Sequence, residues 1–253
     1  MKFYLAILIL FFSQLPFGQK IDREIFDETL GSKKAQTYSM LEESFEKFLN
    51  LNYPDEKSLS KKMKRYLLDI HDQNFNWIFD NNLSSITLQQ LESSGLRKDI
   101  MLYKNETYEE RFPFEDYIEE KKPSTDKSEE IELNEYFEDI IEVPPTSRKE
   151  ERRLRKEEFK RQKIRDKFPQ PNKHGLFYYA LAKSKKDNED ILAYLAGITK
   201  YGIRPSPSLI AYGFIENLTE EEFIKWENKL LVIVEVYLSS LIYNDIMKKI
   251  ACG

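Results

Sequence analysis

Cysteine, histidine and glycine are scarce in this sequence, and each scarcity removes a class of function. There is one cysteine, Cys252, so no intramolecular disulfide can form and the fold must be held by its core. Cys252 is expected as a free thiol in the chain's tail, with a bridge to another molecule as the alternative. The two histidines, His71 and His174, lie far apart and with a single cysteine make no zinc pattern. The eight glycines frame no phosphate loop, dinucleotide turn or nucleophile elbow. Asp187 to Asp190 lacks the spacing and the glycine of a calcium loop. No cofactor and no metal is therefore expected.

What the chain does have is apolar mass and charge. Hydrophobic residues make up 41% of its 253 residues, with 17 Phe and 15 Tyr, enough for a substantial core. Charged residues make up 33%, with a formal net charge of −5. Few glycines beside many Lys, Glu, Leu and Ile favour helices over a turn-rich β fold. The expected architecture is mainly α. An N-terminal helical hairpin and a C-terminal helical bundle with one long central helix are joined by a charged, partly disordered middle.

Residues 1–18 read as a secretory signal peptide: Lys2, then the apolar stretch Phe3 to Phe12, then Pro16 breaking the helix before Gly18. Ten apolar residues are too few for a stable bilayer span. The expected location is the periplasm or the extracellular space, with an uncleaved N-terminal membrane anchor as the alternative.

The N-terminal helical region covers 19–104. Tyr38, Leu41, Phe45, Phe48, Leu49 and Leu51 mostly follow a three-four step, with Ser32 as a candidate cap and Pro54 as the stop. Leu59, Met63, Tyr66, Leu67 and Ile70 repeat the pattern. Phe75, Trp77 and Phe79 are expected as core under a loop, and Gly95 as a helix end. The segment around Gly95 is not a DNA reader. It carries only Arg97, Lys98 and Lys104 against Glu92 and Asp99, and nucleic-acid binding requires a basic footprint.

The middle is a charge dipole along the sequence. Asn105 to Val143 holds 15 acidic against 4 basic residues, and Arg148 to Lys167 holds 11 basic against 5 acidic. Residues 105–147 form an acidic low-complexity linker with two similar segments. FEDYIEE starts at Phe114 and FEDIIEV at Phe137, and five of their seven positions are identical. In a helix, Phe114 and Ile118 share one face, as do Phe137 and Ile141, with carboxylates between. That pattern suits a short segment docking on a protein partner, steered by its acids. Residues 148–168 read as a basic helix with a poor apolar stripe, which could also meet an anionic membrane surface through Arg148–Lys167.

The C-terminal helical domain, 169–253, holds two short helices, a proline-rich loop, and a helix entered at Pro207 with Ser206 as cap. Thr219 and Glu222 make a capping box, from which one helix is expected to run without Pro or Gly to Ala251. Inside it, Leu230 to Tyr243 is apolar nearly all round except for Glu235. A carboxylate there must be paired, protonated or facing a cavity, so Glu235 is the candidate catalytic acid. Arg204, Ser206 and Ser208 at a helix start form a candidate anion site. The expected function is that of an exported, non-enzymatic interaction or scaffold protein docking through its acidic-aromatic middle. The alternative is an envelope-located enzyme, such as a hydrolase, with its site near Glu235.

Overall fold

The computed structural model describes residues 15–118, 152–156, 166–201 and 205–252. Phe137, Ile141, Arg204, residues 1–14 and most of the basic block lie outside the described residues. Within that range the fold is mainly α, and one antiparallel pair of two-residue strands is present.

Helix α1 spans Leu15–Leu30 and α2 spans Ser32–Asn52, with Gly31 between them. Pro16 lies in the first turn of α1, and the leader helix it is expected to end lies outside the described residues. A proline's missing N–H forfeits no helical hydrogen bond there. The bond between Gly18 and Gln19 is likewise inside α1. Ser32 is not a cap. The N-cap is Gly31, without a side-chain hydrogen bond. In α2 the buried face is Tyr38, Leu41, Phe45, Phe48 and Leu49. Leu51 departs from the predicted stripe and is exposed. The last turn instead uses Asn52, whose side chain donates to the Ile78 carbonyl at 2.9 Å and accepts from the Ile78 N–H at 2.8 Å.

Helix α3, Leu59–His71, is capped by Ser58 and buries Met63, Tyr66, Leu67 and Ile70. Helix α4, Asn81–Ser94, starts at Asp80, whose carboxylate accepts the N–H groups of Asn82 and Leu83. It stops at Gly95, whose φ of 82° is the left-handed conformation that favours glycine. Helix α5, Leu96–Ile100, runs directly into strand β1, Met101–Leu102. Met101 pairs with Pro171 and Leu102 with Gln170 of β2, Gln170–Pro171.

The C-terminal helices follow: α6, Leu176–Ser184; α7, Glu189–Tyr201; α8, Pro207–Asn217. The capping box of Thr219 and Glu222 is present, but it opens a helix of one turn only, α9, Glu220–Phe223. The expected unbroken helix is interrupted at Ile224 and Lys225. A new helix begins with α10, Trp226–Leu231, passes through a π-helical segment, Val232–Tyr237, and ends as α11, Leu238–Cys252. Phe223 and Trp226, on either side of the break, are both buried in the core. By length and composition Trp226–Lys249 could cross a membrane, but 61% of its most apolar stretch is buried inside the protein.

The two helical regions share one core. Phe26 of α1 meets Tyr38 of α2, Phe177 of α6 and Trp226 of α10 edge-on, at 5.7, 5.4 and 5.2 Å. Tyr237 of the π segment lies 5.0 Å from Phe45 and 5.2 Å from Phe48, and its hydroxyl hydrogen-bonds Ser44 at 2.8 Å. Polar groups cross the same boundary. Buried Lys185 contacts Asp22 at 2.7 Å and Glu227 at 3.2 Å, and Lys229 reaches Glu42 at 3.1 Å.

The turn before α6 brings the two regions into close backbone contact. Asn172 donates to the Lys98 carbonyl at 2.7 Å from its side chain and to the Ile100 carbonyl at 2.9 Å from its backbone. A Cβ on Gly175 would lie 2.7 Å from the Asp99 carbonyl carbon and closer still to its oxygen. Both atoms are backbone and cannot yield. Gly175→Ala is therefore expected to lower unfolding free energy by about 3 kcal/mol or more, read from urea denaturation followed by circular dichroism. An unchanged midpoint would show that the two segments are free to separate.

Arg97, nearly buried, holds the loop after β1. It makes paired bonds to Glu92 at 2.8 and 2.9 Å, and it bonds both carboxylate oxygens of Glu106. Glu106 also accepts the Tyr103 N–H at 2.9 Å. The Arg97 hydrogen bond is the main reason the Glu106 carboxyl is held down at about 2, against the opposing effect of burial. A carboxyl whose folded pKa is depressed contributes stability above its unfolded value, and that contribution is lost as pH falls toward the folded value. Glu106→Gln should thus destabilise most at neutral pH. The gap from the parent protein should close between about pH 5 and pH 2, as measured by urea unfolding across that range. A gap that stays constant with pH would contradict this account.

Candidate functional site

Three places bear on function. The first is the segment leading into the acidic middle. Tyr108 donates its hydroxyl to Asp99 at 2.7 Å and accepts the first N–H of α6, that of Leu176, at 3.2 Å. Lys34 pairs with the same buried Asp99 at 2.6 Å. Burial nevertheless raises the Asp99 pKa, with Lys34 and Tyr108 pulling the other way. This junction fixes the chain just ahead of the first FED copy. Phe114–Asp116 then forms one 3-10 turn, and the Ile118 N–H bonds the Phe114 carbonyl at 2.8 Å, four residues back.

That turn seats on Tyr179 of α6. Phe112 stacks on the Tyr179 ring at 5.2 Å, while Phe114 and Tyr117 meet it edge-on or steeply inclined, both at 5.7 Å. Ile118 is buried and Phe114 is half-buried, whereas Glu115 and Asp116 are exposed. Phe114 and Ile118, read from sequence as partner-binding residues, pack on the chain's own body. Their counterparts Phe137 and Ile141 lie outside the described residues. Burial together with the nearby positive Arg111 and Lys173 lowers the His174 pKa beside this turn.

The second place is Glu235. It is 1% exposed, in the middle of the π segment, and accepts a hydrogen bond from the Tyr178 hydroxyl at 3.1 Å. A π turn widens the helix by one residue, so the Leu238 N–H reaches back five positions to Ile233. Ser239 and Ser240 donate their hydroxyls to the Glu235 and Val236 carbonyls at 3.3 and 3.0 Å. They thereby supply donors where the regular ladder is disturbed. Glu235 lines a cleft of about 660 Å³ together with Asp190, Tyr194, Phe214 and Asn228.

The third is the predicted anion site, which the structure places at the start of α8. Ser206 accepts the Leu209 N–H at 3.2 Å, and Ser208 donates to the Ile70 carbonyl at 3.3 Å. Both hydroxyls thus make structural bonds, one as a helix cap and one as a tie to α3. Arg204, the intended cation, lies outside the described residues. Within the basic block, residues 152–156 are helical and exposed. Among the described residues no group of three or more His, Cys, Asp or Glu is arranged to hold a metal.

Sequence reasoning missed two groups. Tyr179 gave no sign of being a docking platform, because a tyrosine on an amphipathic helix reads as ordinary core. Phe75 was expected under a loop and is 58% exposed. It lines a second cleft with Phe168, Tyr243 and Met247. The only available signal was the polar asparagines on either side of Phe75, which mark that turn of chain as solvent-facing. No protein-family model matches this chain, and no curated protein and no solved structure matches it either.

Proposed function

We infer that this is an exported, non-enzymatic interaction protein that docks a protein partner through its acidic-aromatic middle. One observation carries the reading. The first FED copy packs Phe114 on the Tyr179 ring, buries Ile118 and leaves Glu115 and Asp116 in solvent. This is the arrangement a docking segment needs, with apolar anchors in and steering charges out. The second copy repeats the same Phe, Glu, Asp and Ile from Phe137 to Ile141. With Phe114 and Ile118 occupied by the chain's own body, Phe137 and Ile141 are the residues offered to the partner. The partner is expected to present an aromatic platform like Tyr179 with a basic rim.

The two copies should therefore respond differently to truncation. Ile118→Ala removes a buried side chain and should destabilise the fold by about 2–4 kcal/mol. Phe137→Ala with Ile141→Ala should leave the unfolding curve unchanged. The same double variant should lose, at least fivefold, a protein cross-linked to the parent chain in its native envelope and identified by mass spectrometry. Identical cross-linked sets from parent and double variant would overturn the docking role.

A second reading is favoured by the Glu235 site, where a buried carboxylate, a disturbed helical ladder and a sizeable cleft coincide. In that reading the chain is an envelope hydrolase and Glu235 is its general acid or base. Chromogenic ester, amide and glycoside substrates test it. Turnover should be saturable and should fall about 100-fold or more in Glu235→Gln, given what such a group contributes. No turnover on any substrate class, or unchanged turnover in the variant, would dismiss the enzyme reading.

A further inference from the structure

The seam between the two helical regions opens into a cleft of about 530 Å³, a volume in the range of small-molecule sites. One wall comes from the N-terminal region, where Phe75 and Trp77 stand edge-to-face at 5.4 Å. The opposite wall is Phe168 stacked on Tyr243 at 5.6 Å, with the ring planes 14° apart. Met247 of α11 closes one side. The cleft thus exists only because two distant stretches of chain are brought together.

Its chemistry is uniform. No described residue lining it carries a formal charge. Phe75, Tyr243 and Met247 are 58%, 51% and 38% exposed, an unusual concentration of large apolar side chains on a concave surface. Each loses contact with water when the cleft is filled, at about 25 cal/mol per Å². A charged ligand group would be stripped of water there with nothing opposite to compensate it. The polar side chains in the lining, Ser208, Ser239, Ser240 and Asn244 among them, are all uncharged. Ser208 and Ser239 line the cleft and give their hydroxyl protons to backbone carbonyls, both at 3.3 Å. The Ser208 oxygen is thereby left as an acceptor, which matches a ligand hydroxyl.

We propose that this seam cleft is a binding site for a neutral, mostly apolar molecule bearing a hydroxyl group, of the long-chain alcohol type. It shares no lining residue with the Glu235 cleft. Aromatic walls and a methionine accept an alkyl chain, and the Ser208 oxygen receives its hydroxyl.

The test uses the full chain and N-phenyl-1-naphthylamine, a neutral apolar fluorophore with one N–H. Saturable binding at one site per chain is expected, with energy transfer from Trp77 that is reduced in Trp77→Phe. 1-Dodecanol should displace the probe, while dodecanoate and dodecyltrimethylammonium should need at least tenfold more. Met247→Lys and Phe75→Asp, both at exposed positions, should weaken probe binding at least tenfold while keeping the parent melting curve. Leu209→Lys, on the rim of the other cleft, should leave binding unchanged. If the probe does not saturate, or if Leu209→Lys rather than the two cleft variants removes binding, the site is not here. If dodecanoate displaces as well as dodecanol, the neutral class is wrong.

Discussion

The contact between Phe26, Tyr38, Phe177 and Trp226 is the one on which the molecule most depends. These four rings come from α1, α2, α6 and α10, so they join the first helices of the described chain to the last long one. Edge-on aromatic pairs each contribute about 0.5–1.5 kcal/mol beyond the area they bury. Their larger effect is geometric. Once Phe26 is enclosed, α1 lies on α6, and Lys185 is within reach of both Asp22 and Glu227. A buried ammonium between two carboxylates is tolerable only with that precision. The second cluster, Tyr237 against Phe45 and Phe48, sets the depth to which the π segment sinks between the two regions.

The π segment follows from the same constraint. Val232 to Leu238 is buried along its whole length, so the helix must satisfy neighbours on every side. One extra residue in the turn brings Tyr237 to Ser44 on one side and Glu235 to Tyr178 on another. The cost is a disturbed hydrogen-bond ladder, offset in part by the Ser239 and Ser240 hydroxyls. Burying Glu235 requires partners for its carboxylate, and the Tyr178 hydroxyl is one of them. The same placement sets Glu235 at the edge of a cleft, which is why structural and catalytic readings of this residue meet at one point.

The acidic middle is tied to the body by a chain of polar contacts ending in an aromatic one. Arg97 holds Glu106, Tyr108 holds Asp99 and the start of α6, and three rings gather on Tyr179. Charge repulsion within a strongly acidic stretch favours extension into solvent. The apolar anchors of the first FED copy oppose that tendency at its beginning.

Much of the helical framework was legible beforehand. The buried faces of α2 and α3, the stop at Gly95, the caps at Ser206 and Thr219, and the burial of Glu235 are local consequences of periodicity and capping chemistry. Such patterns depend on neighbours three or four residues away, so sequence alone carries them. The break at Ile224, the inward use of Asn52 in place of Leu51, the π turn, the platform at Tyr179 and the seam cleft were not legible. Each depends on which surface arrives from a distant part of the chain, and a one-dimensional pattern does not encode that. The sequence by itself determined that the protein is helical, that helices stop near Pro54 and at Gly95, and which acid is anomalous. Only the tertiary structure decided that the two regions share one core, because aromatic side chains contribute to any interior that encloses them and do not name their partners in advance.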